Sequence, residues 1–425
     1  IGDILNSQPV LTSAANFGYA MLPTSEGGGA SGAGSYGAYL ADKRSRTPLV
    51  FVGSNDGMLH AISAGAGGGD VRFSVIPNSV LGYMKELPKQ GYQHVYYVDG
   101  TPTQHDVRIG SSWRTMLLSY NGAGGKSIMA LDVTNAAAAF GPSNFMWEFR
   151  HNNLGHVINP PTAALLENGD WVVLAGNGLN SSDHRARLMV LNASNGNLRD
   201  SVVVGTGSIT DPNGLTSAVP MDNDFNGKID TIYGGDMHGN VWKFSVSATG
   251  SISAGSLLFT ATDSGGTRQP ITGTVDAGAH HIEGQMVVFG TGKYVEVGDN
   301  LPTAPATTQT QTLYGIWDKE DGSPVGSRSN LQAQQITGVS TSNGRESRQL
   351  SSNTVNWENQ RGWYIDLSVG TAEGERSVGR PRIFMGRAAF TTLEPQGDEC
   401  SPGALNRLYF VRLLTGAPAL NLGNG

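Results

Sequence analysis

The sequence predicts an all-β fold organised as a β-propeller of about seven blades, with a few inserted short helices and long loops. Three observations predict it. Glycine numbers 59 of 425 residues, about twice its average usage. Charged residues make up only 15%, against about 25% in a typical globular chain. Apolar β-rich runs also alternate with Gly/Asn/Asp turns along the whole chain, which indicates many short strands joined by tight turns.

Repeated strand–turn–strand segments are the main basis for the blades. Five regular segments occupy residues 47–63, 114–134, 171–204, 229–246 and 285–317. Two less regular segments occupy residues 362–393 and 408–420. A repeat of roughly 40 to 60 residues built from short strands is typical of propellers, in which each blade is a small antiparallel sheet. We expect a strand within residues 8–11 to complete the last blade, because closing the ring protects the sheet edges.

Three segments are predicted to interrupt the strands. Residues 78–87 carry Leu81, Met84 and Leu87 at helical spacing behind an Asn-Ser start, so a short helix is expected there. Residues 25–36 are rich in Gly and Ser and are expected to form a surface loop. Residues 323–355 are polar and contain few aromatic side chains, so a long loop is predicted.

The loop at residues 222–230 has the spacing of a calcium site. Asp222, Asp224, Asn226 and Asp230 offer side-chain oxygens at positions 1, 3, 5 and 9, and Lys228 at position 7 can offer its backbone carbonyl. Ca²⁺ takes six to eight oxygen ligands, and oxygens at odd-numbered positions of a short loop can surround one ion. Gly227 at position 6 permits the sharp turn.

Two features separate this loop from an EF-hand. Position 12 is Tyr233 rather than a bidentate Glu, and residues 229–233 have the pattern of a strand. The sequence therefore predicts a calcium loop on a β scaffold, closed by Asp230. The alternative is a β-turn rich in Asp, Asn and Gly that binds no ion, since these residues also dominate turns.

Composition disfavours several classes of function. The net charge is −7 with no basic block, which argues against nucleic acid as a partner. No run of 18 apolar residues occurs, so no membrane span is predicted. Cys400 is the only cysteine, which excludes an internal disulfide. Residues 32–37 match the glycine pattern of a dinucleotide site, but we expect neither the strand before it nor the helix after it that such a site requires.

A set of short motifs stands in a fixed order over nearly all of the chain. They are Gly2-Asp3-Ile4, Asn55-Asp56-Gly57-Met58-Leu59-His60-Ala61, Tyr97-Val98-Asp99-Gly100-Thr101-Pro102, Ala130-Leu131-Asp132-Val133-Thr134, Gly239-Asn240-Val241-Trp242-Lys243-Phe244, Gly362-Trp363-Tyr364 and Phe390-Thr391-Thr392. With the loop at residues 222–230, this set resembles the C-terminal propeller of PilY/PilC-type proteins. Those proteins are calcium-binding tip adhesins and biogenesis factors of bacterial type IV pili.

The resemblance implies a modified seven-bladed β-propeller forming one domain over residues 1–425, within a larger parent protein. It implies an extracytoplasmic location, at the cell surface, the outer membrane or the pilus tip. The implied partners are pilus components, such as minor pilins or the pilus tip, and host or abiotic surfaces. The implied role is to support pilus extension by opposing retraction in a calcium-dependent way, and to contribute to twitching motility and attachment. The single cysteine and the absence of an Arg-Gly-Asp tripeptide depart from the family pattern.

Two other functions remain open at this stage. Residues 130–134 and 191–197 look like blade repeats of pyrroloquinoline-quinone dehydrogenases, which also bind calcium on a propeller. Those enzymes clamp the quinone with adjacent cysteines and gather their calcium ligands from separate blades, so we expect no enzymatic activity here. The other alternative is a propeller scaffold for protein interactions in which calcium is purely structural.

Overall fold

The computed structural model describes residues 2–296, 298–300, 308–342, 345–396 and 403–419. Short antiparallel strands dominate these residues, so the all-β prediction is confirmed. Cys400 lies outside the described residues. Within the described part of the chain, no helix reaches the length and hydropathy needed to cross a bilayer.

The first three sheets each contain four strands that follow one another along the chain. The first consists of β1 (Val10–Leu11), β2 (Leu49–Gly53), β3 (Leu59–Ser63) and β4 (Val71–Val75). The second consists of β5 (Thr103–Ile109), β6 (Ser112–Tyr120), β7 (Ile128–Asp132) and β8 (Phe145–Phe149). The third consists of β9 (Thr162–Leu165), β10 (Trp171–Gly176), β11 (Ala186–Asn192) and β12 (Leu198–Val204).

The later sheets are less uniform. The fourth consists of β13 (Val219–Met221), β14 (Thr231–Gly235), β15 (Asn240–Ser245) and β16 (Ser256–Thr260). Then come β17 (Asp276–Ala279), β18 (Gln285–Gly290), β19 (Thr312–Asp318), β20 (Gln332–Gln334), β21 (Ile336–Ser342), β22 (Arg345–Leu350) and β23 (Gly362–Asp366). The last strands are β24 (Ser368–Val369), β25 (Thr371–Ala372), β26 (Arg382–Phe384), β27 (Arg387–Gln396) and β28 (Gly403–Arg412). The fifth sheet has the order β17-β18-β19-β23-β20, the sixth has β26-β27-β28, and β21-β22 and β24-β25 form two-stranded ribbons.

The five regular repeats are confirmed as antiparallel strand pairs, and the irregular segments differ from expectation. The predicted segment at residues 362–393 contributes β23 to the fifth sheet and β26 and β27 to the sixth, and β28 then completes that same sheet. The N-terminal strand β1 pairs with β2 of the first sheet, so the prediction that it completes the last blade is wrong. The described residues thus form six sheets of three or more strands, and the count of seven blades is not confirmed.

The helical and loop predictions are partly correct. The expected helix at residues 78–87 is present as α2 (Asn78–Leu81) followed by a 3₁₀ turn (Met84–Glu86). A longer helix, α1 (Tyr36–Lys43), was not expected, and Ser35 caps it by accepting a hydrogen bond from Ala38 N at 3.2 Å. A helix therefore does follow the glycine motif of residues 32–37, but no strand precedes that motif. Residues 323–355 contain the β21–β22 hairpin rather than only a loop.

The chain separates into two compact units. The first comprises the described residues within Ile1–Ile232 and Phe244–Gly255, and the second those within Tyr233–Lys243 and Ser256–Gly425. The division passes through strands β14 and β15. A single propeller domain over residues 1–425 therefore stays a prediction.

Apolar side chains from successive sheets form the core of each unit. In the first unit, one buried cluster draws on the second and third sheets and includes Val107, Met116, Leu118, Ile128, Val173 and Met189. A second cluster contains Leu22, Tyr36, Leu40, Trp113 and Leu165, with Tyr19 and Trp171 packed against it. In the second unit, the buried cluster includes Met286, Val288, Trp363, Ile365, Phe390 and Val411. Burial of such apolar surface is the main contribution to folding.

A buried ion pair fixes α1 to the second sheet. Lys43 Nζ lies 2.7 Å from Asp106 Oδ1, and both side chains are almost completely buried. Tyr36 also donates its hydroxyl to Asp106 Oδ2 at 2.9 Å. Burial raises the pKa of Asp106 and lowers that of Lys43, while their mutual attraction opposes both shifts. Each charge therefore depends on the other to remain in the core.

We expect Asp106→Ala to lower the free energy of unfolding of the first unit by about 3–5 kcal/mol, because it leaves the Lys43 ammonium buried without its partner. The control is Asp42→Ala, which removes the more exposed partner of Arg46 and should change stability by about 1 kcal/mol or less. Urea denaturation followed by tryptophan fluorescence measures both. Equal losses in the two variants would contradict this account of the ion pair.

Candidate metal centre

The predicted loop connects β13 to β14, and hydrogen bonds fix both of its ends. Asp230 N donates to Met221 O at 2.9 Å, which closes the loop across its base. Ile229 N donates to Leu165 O at 2.9 Å, and this contact ties the loop to the end of β9. A strand follows the loop, as predicted, rather than the helix of an EF-hand. The ends are thus part of the sheet framework, and only residues 222–228 are free of strand pairing.

Three carboxylates meet inside this loop. One oxygen from each of Asp222, Asp224 and Asp230 lies within 4.8 Å of the other two. Ca²⁺ binds oxygens at about 2.3–2.6 Å, so two ligands of one ion can be up to roughly 5 Å apart. The three oxygens therefore fit around a single calcium ion. Among the described residues, this is the one group of three His, Cys, Asp or Glu side chains with such geometry.

Backbone amides hold these carboxylates in place. Gly227 N donates to Asp222 Oδ2 at 2.7 Å, and Asn226 N donates to Asp222 Oδ1 at 3.1 Å. Asn223 N donates to Asp230 Oδ2 at 2.6 Å. Burial raises the pKa of Asp222, the amide donors lower it, and the neighbouring Asp224 raises it. The amides thus offset part of the repulsion between the carboxylates.

The other two predicted ligands are Asn226 and Lys228, and both also make hydrogen bonds within the protein. Asn226 Oδ1 accepts a hydrogen bond from Lys228 N at 2.7 Å, and its second lone pair can still face a cation. The Lys228 ammonium points away, because it donates to Glu26 Oε1 at 2.9 Å and to Glu167 O at 3.2 Å. Only the backbone carbonyl of Lys228 can therefore act as a ligand, as the sequence predicted. The coordination of both residues stays a prediction.

Two acidic residues near the loop were missed in the sequence. Glu167 Oε1 accepts from Asn226 Nδ2 at 3.1 Å, although Glu167 lies in the β9–β10 turn, 59 residues away. Glu26 pairs with Lys228, and its Oε2 is buried with no hydrogen-bond partner among the described residues. No local pattern indicates either one, because the fold alone brings them to the loop. They add negative charge beside the three aspartates.

Two loop residues have left-handed backbone. Gly227 has φ of 90°, and a Cβ built there would lie 2.9 Å from Leu22 Cδ2. The positive φ favours glycine at this position, and an added Cβ would also require the Leu22 methyl group to shift. Phe225 has φ of 61°, which is rare for a bulky side chain, and 72% of it is exposed.

The fold and this loop define a class of protein: an all-β propeller that carries an acidic, metal-compatible loop between two blade strands. Residues 1–347 match the family model described as the PilY1 beta-propeller domain. The chain belongs to the PilY1 β-propeller family, and the β-propeller prediction is confirmed.

Curated relatives and a solved structure agree with this assignment. A type IV pilus biogenesis factor PilY1 homolog of Xylella fastidiosa is 36% identical over 100% of this chain and 30% of its own length. PilY1 of Pseudomonas aeruginosa strain PAO1 is 35% identical over 98% of this chain and 38% of its own length. The crystal structure of the P. aeruginosa PilY1 C-terminal domain matches with a TM-score of 0.77 and 33% identity, covering 90% of this chain and 82% of that chain. The chain thus spans about a third of the length of these curated relatives.

The dehydrogenase alternative gains no support from the comparisons. A quinohemoprotein alcohol dehydrogenase of Comamonas testosteroni matches with a TM-score of only 0.36 and 14% identity, which carries no argument about activity. The curated relatives are named as pilus biogenesis factors rather than as enzymes.

We expect Gly227→Ala to weaken calcium binding roughly tenfold, because alanine at this φ costs about 1–2 kcal/mol and its Cβ would also displace Leu22. Isothermal titration calorimetry measures the affinity. The control is Gly266→Ala, since Gly266 has φ of 83° but nothing within 4 Å of an added Cβ. That variant should lose stability without changing calcium affinity. An unchanged affinity in Gly227→Ala would show that the loop tolerates a shift away from Leu22.

Proposed function

We propose that residues 222–230 bind one calcium ion, and that calcium occupancy decides whether this domain supports pilus extension against retraction. The observation that carries the proposal is the meeting of three carboxylate oxygens within 4.8 Å, in a loop whose ends belong to a propeller of the PilY1 family. The proposed ligands are the side chains of Asp222, Asp224, Asn226 and Asp230 and the carbonyl of Lys228.

Membership of the PilY1 family supports the proposed location and partners. We place the domain outside the cytoplasm, at the cell surface, the outer membrane or the pilus tip, where calcium is available. Its proposed partners are pilus components, and its proposed roles include twitching motility and attachment to host or abiotic surfaces. The names of the relatives as pilus biogenesis factors support this assignment. No enzymatic activity is proposed.

Electrostatics supports a change in the loop on calcium binding. Two unit charges about 4.8 Å apart repel each other by roughly 3 kcal/mol at an effective dielectric constant of 20. Three such charges share the loop, and Asp224 is exposed, with its two oxygens accepting from Asn226 N at 3.1 Å and Asn226 Nδ2 at 3.0 Å. Without a cation, we expect the loop to open around Asp224. With a cation, the repulsion becomes attraction to one centre, and the loop presents one defined surface.

Calcium titration tests the site itself. We expect one calcium ion per chain with a dissociation constant of about 10⁻⁷–10⁻⁵ M, since the loop has three carboxylates but no bidentate Glu at position 12. Asp222→Ala and Asp230→Ala should abolish binding and keep the β-sheet circular dichroism spectrum, because the ion orders one loop and the core does not depend on it. Mg²⁺ should compete poorly, since it requires a smaller octahedral shell. The control for the two aspartate variants is Asp200→Ala, at an exposed position of strand β12. Equal affinities for the two ions would refute the calcium assignment.

Piliation tests the role of occupancy in the full-length protein. An Asp230→Ala strain should carry few surface pili, and deletion of the retraction motor should restore them, because only the balance against retraction has changed. Asp230→Lys places a positive charge near the cation position and should give pili that do not retract. Electron microscopy and twitching assays measure both, with Asp200→Ala as the control strain. If both Asp230 strains produce pili and twitch like the parent, calcium is purely structural, as in the scaffold alternative.

A further inference from the structure

We propose that Phe225, at the tip of the calcium loop, is the residue through which this domain docks on a pilus subunit, in an apolar pocket rimmed by lysine or arginine. This inference rests on the proposed function, because it identifies the surface that occupancy would control. We call the exposed surface formed by Phe225 and Met21, with the acidic side chains of Asp224, Glu26 and Glu167 around it, the Phe225 tip.

Exposure is the first observation. The Phe225 side chain is 72% exposed, and Met21 beside the loop is 57% exposed. A Cβ built at Gly227 would lie 3.6 Å from Met21 Cγ, so Met21 adjoins the loop two residues on from Phe225. Within the described residues, the Phe225 ring makes no aromatic or cation–π contact. An exposed aromatic side chain with an apolar neighbour gains free energy when a partner covers it.

Backbone strain is the second observation. Phe225 has φ of 61°, a conformation that costs an L-residue other than Gly, Asn or Asp about 1–2 kcal/mol. Met385 also combines positive φ with exposure, but it precedes Gly386 in the two-residue turn between β26 and β27, where both positions require positive φ. At Phe225 the positive φ belongs to the turn in which the N–H groups of Phe225, Asn226 and Gly227 face the Asp222 carboxylate, and glycine or asparagine would fit there with less strain than phenylalanine. A strained aromatic residue kept at an exposed tip indicates a role in contact with a partner.

Charge identifies the chemistry of the partner. Asp222, Asp224 and Asp230 belong to the loop that carries Phe225, and Glu167 and Glu26 bond to its residues Asn226 and Lys228. Within the described residues, Lys228 is the one cation bonded to this acidic group. One Ca²⁺ neutralises two of these charges, so the surface remains negative when the loop is filled. A partner pocket with a basic rim matches this charge. An anionic lipid surface does not, which favours a protein partner over a membrane.

Calcium occupancy of the loop would also control the position of the Phe225 ring. Phe225 stands between Asp224 and Asn226, two of the proposed ligands, so its ring direction depends on how the loop closes. Gly227 N and Asn226 N already bond to Asp222 and hold the two residues after Phe225 in place. Asp224 already accepts from Asn226 N and Asn226 Nδ2, and a bound cation would also tie it to Asp222 and Asp230, so that the ring projects from a rigid tip. Docking should therefore require both calcium and the ring.

The variant Phe225→Gly tests the docking role without disturbing the metal site. Glycine accepts positive φ, so calcium affinity by calorimetry should stay within about threefold of the parent value. Binding of the full-length protein to purified pili, measured by cosedimentation in calcium and in EGTA, should weaken at least about 30-fold, as expected for an anchor residue. The matched control is Met385→Gly, which removes an even more exposed side chain at positive φ and should bind pili like the parent.

A photo-crosslinking amino acid at position 225 of the full-length protein tests the partner directly. In calcium it should crosslink to a pilus subunit, identified by mass spectrometry, and the same amino acid at position 385 should not. Vesicles of phosphatidylglycerol and phosphatidylethanolamine are the second probe, and loss of vesicle binding rather than pilus binding in Phe225→Gly would overturn the inference.

Other results separate this inference from the proposed function. Full pilus binding by Phe225→Gly overturns the docking role, even if Asp230→Ala still loses pili and the calcium switch stands. Loss of calcium affinity in Phe225→Gly also overturns it, because Phe225 would then act on the loop rather than on a partner. Calcium-independent pilus binding that still requires Phe225 supports the docking role and contradicts the switch.

Discussion

Repulsion between three carboxylates in one nine-residue loop is the constraint on which the rest of this site depends. Asp222, Asp224 and Asp230 bring one oxygen each within 4.8 Å of the others. Backbone N–H groups that donate to Asp222 offset part of this repulsion. One of them belongs to Gly227, whose positive φ forms the turn. In the calcium proposal, a bound divalent cation offsets the remainder, and the change is confined to the loop because both of its ends are held by strand contacts.

Buried residues of the N-terminal segment support the loop from one side. Gly227 lies against Leu22, whose side chain belongs to the buried cluster with Tyr36 and Trp113. The Lys43–Asp106 pair fixes the end of α1 beneath that cluster. Burial raises the pKa of Tyr19, and the charges of Asp106 and of the loop residue Asp222 raise it further. The N-terminal segment thus connects the loop at residues 222–230 to a buried cluster of the first unit, so we expect a rearrangement of the loop to be confined to its exposed side.

The sequence predicted the repeated hairpins well and their assembly less well. Alternating apolar residues and Gly/Asn/Asp turns are local signals, and the five regular segments form strand pairs where they were expected. Sheet membership is a non-local property. The strand at 362–366 pairs with β19, from Ile316 with Gly362 to Thr312 with Asp366, and β1 joins β2 rather than the last sheet. Helix α1 was missed because its Gly/Ser-rich approach hid the Ser35 cap.

The sequence by itself determined the β class, the repeats and the spacing of the proposed oxygen ligands, because each depends on residues close together in the chain. The tertiary structure alone decided what surrounds the loop. It brought Glu167 and Glu26 to the ligands, directed the Lys228 ammonium away from them, and left Phe225 exposed at the tip. These contacts join residues up to 202 positions apart. Local pattern cannot encode them, because they exist only after the sheets have packed and brought distant turns together.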